Sequence, residues 1–171
     1  MARKTQSNVT LNAKLSSVNL QRIALKDTSS YAEGAPVKID ETTGGAALPT
    51  GCSPAAVAAN SVVFVNWVDS DRSDVAFIQQ DKTDSTAPTM YVDGGGLTGI
   101  LGNDVDIGLP ASLWNHNGAL PTIGYGVYIS SAGDKWQAAA IVAGGTYYGR
   151  IYRHYNGRAH FIFHSVPHVY A

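Results

Sequence analysis

Four histidines, His154, His160, His164 and His168, crowd the end of the chain, and neutral imidazole is a common metal ligand. Their spacing argues against one shared ion. His160 and His164 stand four residues apart, roughly 13 Å along a strand. His154 can approach His160 across Asn156-Gly157, but two histidines without a nearby Cys or carboxylate are an incomplete ligand set. Asp69, Asp71 and Asp74 alternate as in an oxygen-ligand loop for Ca²⁺, yet the stretch lacks the glycine and terminal glutamate of such a loop and Arg72 interrupts it. A solvated turn is expected there. Gly94, Gly95 and Gly96 precede no Gly-Lys-Ser/Thr element, so they read as turn glycines rather than a phosphate cradle. Hydrolytic chemistry has no Gly-x-Ser-x-Gly to rest on, and the single Cys52 lies in Gly-Cys-Ser-Pro. Alternation puts Asp104 and Asp106 on one strand face, which is ordinary for an exposed edge. Trp67, Trp114, Trp136, Tyr147 and Tyr148 suit a sugar-stacking platform, although such aromatics also fill cores and subunit interfaces. The expectation is a protein with no catalytic residues, no cofactor and no metal.

The elements that would position these residues are strands. Only 15% of the 171 residues are charged, with 18 Gly and 9 Tyr, a balance poor in helix formers and rich in strand and turn formers. Short β-branched or aromatic runs at 37–39, 62–68, 75–79 and 90–92 are separated by Gly, Pro, Asp and Ser clusters, as strands are. Residues 124–130 and 135–141 flank a loop of turn formers and predict a hairpin. A second hairpin joins 149–155 to 158–165 across Asn156-Gly157, which suits a type I′ turn. In its last strand Phe161 and Phe163 alternate with His160, Ile162 and His164, so the phenylalanines point inward. One short helical turn is drawn over residues 110–116, after Leu109, with Pro110 suited to its first position. The fold class is all-β: a compact β-barrel or β-tulip-like domain over residues 27–171, preceded by an extended N-terminal arm over residues 1–26, in which isolated apolar positions follow no settled period.

Charge is segregated along the chain. Residues 1–26 carry +5 with no acid, 27–134 carry −10 with all 13 acids, and 135–171 carry +4 with no acid. Such a chain can set basic ends against acidic surface of its own kind or of a partner. The longest purely apolar run, 138–143, is far below the roughly 20 residues of a membrane span. The lone cysteine and the absence of an apolar core in residues 1–17 predict folding in a reducing cytoplasm, with no membrane and no nucleic acid as partner.

Gly124-Tyr-Gly-Val-Tyr-Ile-Ser-Ser-Ala-Gly-Asp-Lys-Trp, followed by Gly149-Arg-Ile-Tyr and accompanied by Gly34-Ala-Pro-Val-Lys-Ile, resembles the decoration or cement proteins of tailed-bacteriophage capsids. The resemblance covers the later two-thirds of the chain loosely and rests mostly on turn glycines and β-branched residues. It implies a compact β domain with an extended terminal arm, attached to the outside of an assembled capsid. The implied partner is the major capsid protein, and the implied location is the virion exterior after synthesis in the host cytoplasm. A homo-oligomer is expected, a trimer before a dimer. The arm residues Arg3, Lys4, Val9, Leu11, Lys14, Leu15, Val18, Leu20 and Arg22 are the expected partner contacts, and deleting residues 1–20 is expected to leave the domain folded. A tail or baseplate component and a carbohydrate- or receptor-binding β module are the alternatives.

Overall fold

The computed structural model describes residues 9–11, 19–24, 32–39, 46–47, 62–67 and 96–171. Eleven strands run through them: β1 (Thr10–Leu11), β2 (Asn19–Ala24), β3 (Pro36–Ile39), β4 (Ala46–Ala47), β5 (Val63–Asn66), β6 (Gly96–Leu101), β7 (Val105–Pro110), β8 (Gly126–Ile129), β9 (Trp136–Ala139), β10 (Thr146–Tyr155) and β11 (Arg158–Val169). They form two antiparallel sheets, in the orders β1-β7-β11-β10-β8-β9 and β2-β6-β5-β3-β4. The chain is all-β. Neither order closes on itself among the described residues, so the architecture is two open sheets sharing a core rather than a closed barrel. The one helical element there is a 3-10 turn, Ala111–Leu113, shorter than the expected 110–116; Pro110, still extended at the end of β7, precedes it and makes no capping bond.

The core is built from the alternation that the last hairpin announces. Phe161 and Phe163 are fully buried and surround Trp136, whose ring centroid lies 5.6 and 5.9 Å from theirs. Trp114 meets Phe161 edge-on at 5.7 Å. The second sheet contributes Val63, Val65 and Ile100 to the same cluster. Each buried indole needs an acceptor for its N–H: Trp136 donates to the carbonyl of Gly34 at 2.7 Å and Trp114 to that of Leu109 at 3.3 Å. The Gly34 bond ties the entry of β3 to the edge strand of the other sheet. Gly34 has φ +83°, and a β-carbon there would come within 2.4 Å of the Leu113 side chain, so the turn requires glycine.

The two C-terminal hairpins lie where the turn residues place them. Asn156 and Gly157 both have positive φ, 51° and 69°, as a type I′ turn demands. The first hairpin closes through Ser130, which exchanges backbone bonds with Lys135 and Gly133.

The described parts of the N-terminal segment are residues 9–11 and 19–24. β1 pairs with β7 and β2 with β6, so both add edge strands to the chain's own sheets, and Val9 is fully buried in the core. The reason is edge completion: a short extended segment with apolar residues at intervals finds unpaired backbone groups on its own domain as readily as on a partner. Val9 is therefore a core residue. Leu11, Leu20 and Arg22 lie on these two strands, whereas Arg3, Lys4, Lys14, Leu15 and Val18 fall outside the described residues. The expected strands at 75–79 and 90–92 fall outside them too.

Candidate interaction face

On β11 the residues that alternate with the buried Ala159, Phe161 and Phe163, namely Arg158, His160 and Ile162, turn to the opposite, outer face of the first sheet. Register extends that face sideways. Across β7 it takes in Pro110, Gly108 and Asp106, which stand opposite Arg158, His160 and Ile162. Across β10 it takes in Tyr155, Arg153 and Arg150, which stand opposite Arg158, His160 and Ile162. The register between β10 and β11 slips between Ile151 and Arg153, and this bulge re-aims the extra residue. Tyr152 consequently reaches the same carboxylate as Arg153, although adjacent residues of a regular strand face opposite ways.

Asp106 is the hub of this face. Its Oδ2 accepts from the Tyr152 hydroxyl at 2.6 Å and from Arg153 Nη2 at 3.4 Å, and its Oδ1 lies 3.2 Å from His160 Nδ1. An ionised carboxylate only accepts, so His160 carries hydrogen on Nδ1. The imidazole of His160 is fully buried although it lies on the outer face. Gly108 provides the slot beneath it, because a β-carbon there would sit 2.5 Å from Cε1 and Nε2. Tyr152 and Tyr155 cover it edge-on, their centroids 6.4 and 6.3 Å away. Arg153 lies between the same two tyrosines, 5.2 and 5.4 Å from the ring centres, as cation–π pairs do. Burial first, and then the hydrogen bond to Asp106, push the Tyr152 phenol up to about 12. Tyr152 and Tyr155 nevertheless remain 40% and 53% exposed, and Arg150 is exposed beside them. The result is an aromatic and arginine surface whose side chains are already held in place.

Asp104 does not share a strand face with Asp106. It lies in the bend before β7 with φ +58°, because the chain must turn there from one sheet to the other. The four histidines do not converge either. His154 Nε2 lies 2.7 Å from the Pro121 carbonyl, His160 serves Asp106, and His164 contacts His168 with ring centroids 4.1 Å apart. That last contact arises because β11 carries extra residues between Phe163 and His168 opposite Gly149 and Tyr147, which folds up a distance that a straight strand would hold near 13 Å. Among the described residues no three His, Cys, Asp or Glu side chains are grouped to hold a metal ion.

Trp67, Trp114, Trp136, Tyr147 and Tyr148 are all buried, so these rings are core and not a sugar platform. Asp69, Asp71, Asp74, Cys52, Gly94 and Gly95 lie outside the described residues, and Gly96 opens β6. No helix among the described residues is long and apolar enough to cross a membrane. No known protein family matches the sequence, and no curated protein does.

Proposed function

We propose that this chain is a non-catalytic structural protein that docks onto another protein through the outer face of β7, β11 and β10, and that it serves as a decoration protein on the exterior of a tailed-phage capsid. The observation that carries the docking reading is the exposed set Tyr152, Arg153 and Tyr155 fixed around Asp106 and His160. Tyrosine and arginine are enriched at interface centres and among their hot spots. Side chains already immobilised save about 0.5–1.5 kcal/mol each of ordering on association.

The chemistry of the face supports an acidic partner surface. Arg150, Arg153 and Arg158 belong to the acid-free end of the chain, and Asp106 is already engaged by three side chains of its own face. Guanidinium forks suit carboxylates, so the complementary surface is an acidic one on the major capsid protein. Assignment to the capsid is supported by the sequence resemblance alone. A homo-oligomer, trimer before dimer, is the accompanying proposal, since the −10 central segment and the acid-free ends carry complementary charge. Reconstitution with assembled shells and with free capsid subunits tests the reading: retention on shells alone supports decoration, whereas recovery with tail parts or a cell-surface glycan would replace it.

A further inference from the structure

The two sheets are joined by the corner between β6 and β7, residues 102–104, and that corner is fastened to β11 by two neighbouring side chains. Gly102 donates its amide to Ser165 Oγ at 2.9 Å, and the Ser165 amide donates to the Gly102 carbonyl at 2.8 Å. The Asp104 amide in turn donates to His164 Nδ1 at 3.4 Å. This third bond requires a bare Nδ1, and so a neutral imidazole protonated on Nε2.

We propose that His164 is a proton-operated latch on this corner: neutral, it holds the Asp104 backbone against β11, and on taking up a proton it releases that amide. The proton adds to Nδ1, the atom that accepts from the amide, so acceptance and protonation exclude one another. The new Nδ1–H has an alternative partner within reach, because the Asp104 carboxylate Oδ1 lies 3.8 Å away on a side chain that is 83% exposed. The backbone bond is thereby exchanged for an ion pair that leaves the main chain free. Two titratable groups of the described residues face His164: Asp104 from the corner and His168 from β11 itself. They act in opposite senses. Burial and the nearby His168 hold the His164 pKa below its ordinary value, and Asp104 partly restores it. The latch is consequently closed at neutral pH and opens on acidification, as imidazole switches do.

Amide hydrogen exchange measured by NMR on the full chain, with rates divided by the intrinsic rate at each pH, tests the latch. The Asp104 amide is expected to lose about tenfold in protection between pH 7.5 and pH 5, while Phe161 and Ile107 in the core keep theirs. His164→Asn keeps an acceptor that cannot titrate, so it should remove the pH dependence. His168→Ala removes the like charge and should move the midpoint to higher pH. Imidazole ¹⁵N shifts provide a readout that needs no variant, and neutral His164 must appear as the Nε2–H tautomer. Unchanged Asp104 protection at low pH, the same pH dependence in His164→Asn, or an Nδ1–H tautomer at neutral pH would each overturn the proposal.

Discussion

Replacing Asp106 by Ala removes the one acceptor shared by Tyr152, Arg153 and His160, and the three losses are unequal. Tyr152 and Arg153 are each about 40% exposed, so water can take the place of the carboxylate and their share is small. His160 is fully buried, and its Nδ1–H loses its acceptor, which costs about 1–3 kcal/mol. Asp106 is itself 17% exposed, so water can enter the vacated space and hold the total near 2 kcal/mol. In a domain of this size that lowers the melting temperature by about 4–8 °C. Urea unfolding followed by tryptophan fluorescence reads the change directly, since all three tryptophans are buried. Removing both members of the pair is gentler than removing one, so His160→Leu in the Asp106→Ala background should recover about half of the loss. A loss under about 0.5 kcal/mol for Asp106→Ala, or no recovery in the double variant, would show that His160 does not depend on this carboxylate.

Three further outcomes follow from the same geometry. Because the folded state holds the His164 proton less tightly than the unfolded chain does, stability is fully present above the unfolded value of about 6.5 and falls as pH drops through the lower folded value; urea midpoints should decline below pH 6.5, and less so in His164→Asn. Burial and then the Asp106 hydrogen bond push the Tyr152 phenol up to about 12, and burial also raises Tyr128 and Tyr170; ultraviolet titration should show late phenols, of which the Tyr152 one moves back toward 10 in Asp106→Asn, with the stability it contributes present below 10 and lost as pH rises through the raised value. Deleting residues 1–11 removes β1 and the buried Val9, so it should destabilise the fold by about 2 kcal/mol or more; an unchanged urea midpoint would show that the segment contributes nothing to the fold.

The hairpins were readable because their turns carry their own chemistry: Asn156-Gly157 names its turn type, and Phe161 and Phe163 keep period 2 on either side of His160. β6 was not, and β7 only at Asp106, since Gly96, Gly99, Gly102 and Gly108 dilute the β-branched signal and the Asp104 bend breaks the alternation that would mark a strand. Gly108 is there for His160, a tertiary reason with no local trace. The interaction face was hidden for the same kind of cause. Asp106 and His160 are separated by 54 residues, and Tyr152 joins Arg153 only through a bulge that suspends strand periodicity. The His164 and His168 contact likewise depends on extra residues in β11 that no spacing argument anticipates. In the N-terminal segment the scattered apolar residues have no settled period, so the pairing of β1 with β7 and of β2 with β6 left no local trace.

The docking face is tested most directly by a binding isotherm of the protein on assembled capsid shells, comparing the native chain with Tyr155→Ala. Tyr155 is more than half exposed, and the urea midpoint of the variant separates loss of its cover over His160 from loss of binding. Truncating an interface anchor costs about 2 kcal/mol or more, which corresponds to roughly a 30-fold weaker Kd. The account predicts that loss, with a comparable loss for Arg150→Glu that grows as salt is lowered. Equal affinity of the native chain and both variants for the shell would contradict it.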